Sequence, residues 1–147
     1  MEWPVIILLA SVIPLGAALE SNGTTEIIVQ ILTKYASSME PWLIIAIIMI
    51  ITMTLSDILN NTATTLVIAP ISIQLAQTLN LNTDTFLMAV AVSASCAFLT
   101  PIGHKNNTII LGPGGYRFGD YWRMGLVLEV LIIITSIPLL LIFWPIN

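Results

Sequence analysis

Charge is what this sequence has least of. Only 8% of its 147 residues are charged, four of them Lys or Arg and eight Asp or Glu. A water-soluble domain carries about a quarter, so this is an integral membrane protein. Four cations with no basic run and no periodic aromatics exclude nucleic acid as a partner. The single cysteine, Cys96, excludes an internal disulfide, and its apolar small-residue surroundings make it a packing residue. The single histidine, His104, has no metal-ligand cluster and no nucleophile at catalytic spacing beside it. That argues against an intramembrane enzyme and against any cofactor beyond a coupling ion. The N-terminus begins Met1-Glu2-Trp3 without the basic region of a cleavable signal. It reads as a membrane helix.

Hydrophobic residues make up 57% of the chain, and mean hydropathy is +0.99. The fold class is all-α integral membrane, in one domain over residues 1–147. Residues 5–20 predict a transmembrane helix, kinked or closely packed at Pro14 and Gly16. Residues 24–39 put Ile27, Ile28, Ile31, Leu32, Tyr35 and Met39 on one helical face, with Glu26, Gln30, Thr33 and Lys34 opposite. That pattern suits an amphipathic helix lying along the interface, or one packed on its own protein.

Residues 42–77 organise the rest. Two apolar arms, residues 42–55 and 66–77, flank a polar tip at residues 56–65. Neither arm has the roughly 20 residues a full crossing needs. A polar kernel between short arms predicts a re-entrant hairpin, whose irregular backbone needs cover from protein or a watery cavity.

Residues 84–112 predict a discontinuous helix, capped by Thr83 or Asp84 and rich in small residues that let backbones approach closely. It is interrupted by the polar stretch Thr100-Pro101-Ile102-Gly103-His104-Lys105-Asn106-Asn107-Thr108. Residues 116–123 combine two cations with three aromatic rings, an anchor that the positive-inside rule places in the cytoplasm. Residues 123–144 then make a full crossing. Parity puts the hairpin mouth and the C-terminus outside and the N-terminus inside.

The two breaks carry similar polar runs, Asn60-Asn61-Thr62 and Asn106-Asn107-Thr108. Paired short broken elements of this kind point to a transporter's binding site. Unwound carbonyls with Asn and Ser oxygens can replace the water around Na⁺. The helix starts after Thr62 and around Thr108 offer N–H groups and a positive dipole end to a carboxylate or sulfate. Each break taken alone also fits a plain connection between helices.

His104 and Lys105 stand where a titratable ring or a charge at membrane depth is costly. His104 suits donation to substrate or a structural hydrogen bond. Lys105 suits attraction of the anion, replacement of a coupling cation, or pairing with Asp57 or Glu129. Asp57 either adds charge to a cation site or orients the tip, and Glu129 faces a helix neighbour.

With these motifs in order, the chain resembles the divalent anion/sodium symporter family, the sodium/sulfate and dicarboxylate carriers with their citrate-transporter-like domain. Asn60-Asn61-Thr62-Ala63-Thr64 stands where that family's hairpin tip reads Ser-Asn-Thr followed by Ala-Thr. Thr100-Pro101-Ile102-Gly103-His104 matches its second break, and Gly112-Pro113-Gly114-Gly115-Tyr116-Arg117-Phe118-Gly119-Asp120-Tyr121 resembles its bacterial sulfate branch.

The resemblance implies the C-terminal repeat of an elevator-type carrier built from two inverted repeats, a homodimer when complete. It implies a cation site of Ser56, Asn60, Asn61 and the backbone near Leu99 and Gly103. It also implies a substrate site of Asn61, Thr62, Thr100 and Pro101, to which the second break adds His104, Asn106 and Thr108. The interfacial helix resembles the family's horizontal arm. Two departures stand out: Asn60 replaces a Ser, and His104-Lys105 stands where many relatives have Pro-Asn. Only one repeat is present, so the other is expected in cis or as a complementary half in trans.

The expected function is secondary transport of a small divalent or carboxylate anion across a prokaryotic plasma (inner) membrane. The donors suit sulfate, a dicarboxylate and citrate alike, with Na⁺ or H⁺ as coupling ion. The competing class is a non-transporting membrane remnant or assembly subunit, whose polar tips pack against a partner.

Overall fold

The computed structural model describes residues 23–36, 39–59 and 61–146, with Ala10 and Pro14. The helix expected over residues 5–20 therefore falls almost wholly outside the described residues, as does Asn60. Among the described residues all regular structure is helical: α1 (Thr24–Ala36), α2 (Pro41–Ile58), α3 (Asn61–Thr78), α4 (Thr83–Ala94), α5 (Lys105–Leu111) and α6 (Phe118–Phe143).

Helix α1 packs on α3. Val29 is buried in that contact and Leu32 is partly so, whereas Ile27, Ile28 and Ile31 are exposed. Ile27, Ile28 and Ile31 of the stripe thus face outward, and Val29 with Leu32 docks the helix.

Pro41 opens α2, where its missing N–H is not needed by the helix. Ile44, Ile45, Ile48, Met49, Thr52, Met53 and Ser56 form its buried face, at the spacing of one helical stripe. Trp42, Ile50 and Ile51 are exposed. At 1.5 Å per residue α2 is about 27 Å long. With α6 it is one of two helices among the described residues long and apolar enough to cross a membrane.

The polar run at residues 56–65 is mostly not loop. Helix α2 continues through Ile58 and α3 starts at Asn61, so the tip is shorter than the sequence reading made it. Pro70 lies within α3. The far end of α3 closes with Asn80 at φ 54° and the Leu81 N–H donating to the Ala76 carbonyl at 2.8 Å. A left-handed Asn just past a helix satisfies its last carbonyls.

Helix α4 occupies the centre its small residues predict, in contact with α2, α3 and α6. Phe86, Ala89 and Val90 are buried against Ile45, Met49, Met53 and Leu75. Its cap is Asn82, not Thr83 or Asp84: the Asn82 Oδ1 accepts the Asp84 N–H at 3.0 Å. Asn82 also ties α4 to the end of α6, giving its Nδ2 to the Pro145 carbonyl and its N–H to that of Ile146, each at 2.8 Å. Residues 95–104 separate α4 from α5, and a turn with Gly115 at φ 64° leads into α6. The Asp120 carboxylate accepts the Arg117 N–H at 2.8 Å, closing the first turn of α6.

Candidate functional site

Three chain ends converge where α2 stops, α3 starts and α4 stops. Ser56, fully buried in the last turn of α2, places its Oγ 2.7 Å from the Ala94 carbonyl and 3.0 Å from Asn61 Oδ1. A hydroxyl has one proton to give, so these three oxygens share a single donor. The Thr65 hydroxyl donates to the Asn61 carbonyl at 2.8 Å and firms the start of α3. Beside this junction a shallow pocket of about 340 Å³ is lined by Asn61, Thr62, Thr65, Leu66, Ala94 and Ser95. Thr62 and Ser95 are exposed there. The pocket lies at the N-terminus of α3, a positive dipole end, and at the C-terminus of α4, a negative one.

The second break is bound to the first through Asp57. Its Oδ1 accepts the Leu99 N–H at 2.9 Å, and its own carbonyl accepts the Thr100 hydroxyl at 2.7 Å. Thr100 Oγ1 in turn accepts the Gly103 N–H at 3.1 Å. Gly103 is buried so closely that a Cβ would lie 2.8 Å from that of Ala97, 3.0 Å from the Ser56 carbonyl and 3.1 Å from Asp57 Cα. Backbone approaches backbone here, and only glycine fits.

Asn107 laces the break from within, its Nδ2 donating to the Ala97 carbonyl at 3.1 Å and that of Thr100 at 3.2 Å. The Thr108 hydroxyl donates to the Pro101 carbonyl at 2.6 Å. Tyr121 of α6 gives its hydroxyl to the Asn107 carbonyl at 2.8 Å.

The expected residues thus separate into groups. Ser56, Asn61 and Thr62 meet at the junction and pocket. Leu99, Thr100, Pro101 and Gly103 form the braced loop behind it, with Pro101 buried. His104 and Asn106 are exposed and are not among the residues lining the pocket. Thr108 is not a free helix start: its N–H donates to the His104 carbonyl at 3.3 Å, and α5 begins at Lys105. The helix start expected around Thr108 thus lies at Lys105, and the Thr108 hydroxyl braces the break.

Three participants had no site role in the sequence reading. Ser95 lines the pocket, and its signal was a hydroxyl at the end of a small-residue helix. Asn107 stood inside a quoted motif but had no role assigned. Glu129 of α6 is buried and lies within hydrogen-bonding reach of Asp57.

A citrate transporter family model matches residues 1–146. The chain belongs to the citrate transporter family. It is 37% identical over 147 residues to an uncharacterized transporter of Synechocystis, covering all of this chain and 24% of that protein. Similarity to the Escherichia coli transporter YfbS is 29% over 145 residues, 99% of this chain and 24% of that one. A sodium-dependent low-affinity dicarboxylate transporter of Caenorhabditis elegans is 29% identical over 134 residues, 91% of this chain and 23% of that one. The chain spans about a quarter of the length of these relatives. Citrate transporter family members and these relatives are transporters, not enzymes. The apolar composition and the two long helices accord with an integral membrane protein.

Proposed function

We propose that the protein takes part in Na⁺-coupled secondary transport of a small divalent or carboxylate anion: sulfate, a dicarboxylate or a citrate-like acid. The chain contributes a C-terminal repeat with a re-entrant hairpin over residues 42–77 and a discontinuous helix over residues 84–112. The complete carrier is a homodimer in a prokaryotic plasma membrane, with the other repeat supplied in cis or in trans. The named sodium-dependent dicarboxylate relative supports both the ion and the substrate class.

The observation that carries this reading is the meeting of Ser56 Oγ, Asn61 Oδ1 and the Ala94 carbonyl beside the pocket. Three oxygens so close suit a hard monovalent cation, to which the Ser56 hydroxyl offers a lone pair once its O–H turns away. Na⁺ there draws the start of α3 to the end of α4. Its charge lowers the cost of placing an anion against Asn61, Thr62 and Ser95, where N–H groups of α3 add a favourable dipole. Cation loads first, anion second, and the loaded domain moves. The outward apolar stripe of α1 supports its role as an interfacial arm.

The test is Na⁺-gradient-driven uptake by membrane vesicles carrying Asn61→Ala or Thr62→Ala. Uptake is lost while the protein stays inserted. Unchanged uptake sinks the site assignment.

A second reading, a membrane subunit whose breaks only pack, draws support from the internal use of Asn107 and Thr108. It predicts a fixed partner in purified material and no binding of Na⁺ or anion.

A further inference from the structure

The junction of Ser56 and Asn61 leaves one buried group unexplained. Asp57 is 3% exposed and Glu129 is 9% exposed. Their carboxylates lie within hydrogen-bonding reach of each other, and a carboxylate only accepts. Asp57 Oδ2 and Glu129 Oε1 are accordingly both without a hydrogen-bond donor. Two negative charges side by side in a buried site repel strongly, and either a shared proton or a cation between them relieves the repulsion. Glu129 lies in the membrane-crossing helix α6, where an ionisable side chain is a functional group by default.

The backbone around the pair supplies further oxygen and fixes its shape. Gly125, one helical turn before Glu129 and on the same face, lies so close to the second break that a Cβ would meet the Phe98 carbonyl oxygen at 2.4 Å. That carbonyl therefore faces α6 beside the carboxylates. The backbone of Phe98 lies beside Glu129, and the Leu99 N–H holds Oδ1 of Asp57 at 2.9 Å. Asp57 thus has Oδ1 fixed by the break and Oδ2 left without a donor. Among the described residues no group of three or more His, Cys, Asp or Glu is present. Two carboxylates and a carbonyl are hard oxygen donors, which suit Na⁺, Mg²⁺ or Ca²⁺ and not a soft transition metal.

We propose that Asp57 and Glu129 hold a second Na⁺, distinct from the one at Ser56 and Asn61, and that this ion pins α6 to the joint between the two breaks. It rests on the transport reading only for the choice of Na⁺ as the ion. With the ion present, α2, residues 95–104 and α6 are tied at one point. Without it, carboxylate repulsion opens that point.

The test is equilibrium binding of radioactive Na⁺ to the purified protein in nanodiscs, at fixed pH, for wild type, Glu129→Gln and Asn61→Ala. Glutamine matches glutamate in shape and removes the repulsion, so Glu129→Gln is expected to retain its helical circular dichroism. The proposal predicts that Glu129→Gln loses a class of bound Na⁺ still present in Asn61→Ala, or weakens its affinity by about tenfold or more. Unchanged Na⁺ binding in Glu129→Gln overturns it and assigns the pair a shared hydrogen or a lysine partner instead. Absence of Na⁺ binding in wild type overturns it equally. Failure of the transport reading appears separately, as unchanged anion uptake by Asn61→Ala.

Discussion

Asp57 Oδ1 accepts the backbone N–H of Leu99 at 2.9 Å, and this bond joins the end of α2 to a break far along the chain. The neighbouring bond from Thr100 to the Asp57 carbonyl makes the joint two-pronged. Removing the carboxylate by Asp57→Ala strands a partly buried N–H, a loss of about 1–3 kcal/mol. Asp57→Asn keeps an oxygen for Leu99 and recovers part of that loss. Thermal unfolding of the two variants in detergent checks the order: wild type, then Asn, then Ala.

Gly103 allows the second break to lie on the first. A methyl group there meets Ala97 Cβ, the Ser56 carbonyl and Asp57 Cα at 2.8, 3.0 and 3.1 Å. Two of those contacts are backbone and give little. Gly103→Ala is expected to destabilise the protein by about 1–3 kcal/mol through forced backbone shifts. It is also expected to lower uptake by displacing Ser56, as vesicle assays normalised to inserted protein will measure.

Asn107 and Asn106 are adjacent and chemically identical, yet they should behave differently. Asn107 gives Nδ2 to two carbonyls inside the break, whereas Asn106 is exposed. Asn107→Asp removes both donors and leaves the Ala97 and Thr100 carbonyls facing a carboxylate, a loss of about 1–3 kcal/mol or more. Asn106→Ala changes stability by no more than about 0.5 kcal/mol. Parallel melting curves decide it.

Gly125 sets how closely α6 approaches the second break. A Cβ at this position meets the Phe98 carbonyl oxygen at 2.4 Å and its carbon at 2.6 Å. Gly125→Ala pushes α6 outward and separates Tyr121 from the Asn107 carbonyl, a bond of 2.8 Å. A double-mutant cycle in thermal unfolding reads that separation. Tyr121→Phe destabilises the wild type by about 1 kcal/mol and changes Gly125→Ala little.

Helix content and both breaks were legible because long Ile, Leu and Met runs and Pro-Gly punctuation are strong local signals. Asn61 to Thr65 misled because Asn and Thr are poor residues for a helix interior, yet they serve well in its first turn. The buried face of α2 was invisible in sequence, since Ile50 and Ile51 are as apolar as Ile44 and Ile45; packing alone chose between them. Three residues of the amphipathic stripe of α1, Ile27, Ile28 and Ile31, lie on a face that the fold leaves outside, while Val29 and Leu32 do the docking. Ser56 and Asn61 were findable because they lie near each other in the chain. Glu129 was not, because a lone acid in an apolar helix carries no sign of a partner as remote as Asp57.

The most direct test of the pocket beside Asn61 is accessibility at Ser95, which is exposed on its wall. Ser95→Cys is made in a Cys96→Ala background and labelled with a membrane-impermeant thiol reagent. Labelling is compared with and without Na⁺ plus succinate, sulfate or citrate. The account predicts that Na⁺ with the transported anion slows labelling, and that Asn61→Ala abolishes the protection. Labelling at the same rate under every condition, in a protein that still takes up anion, would contradict it.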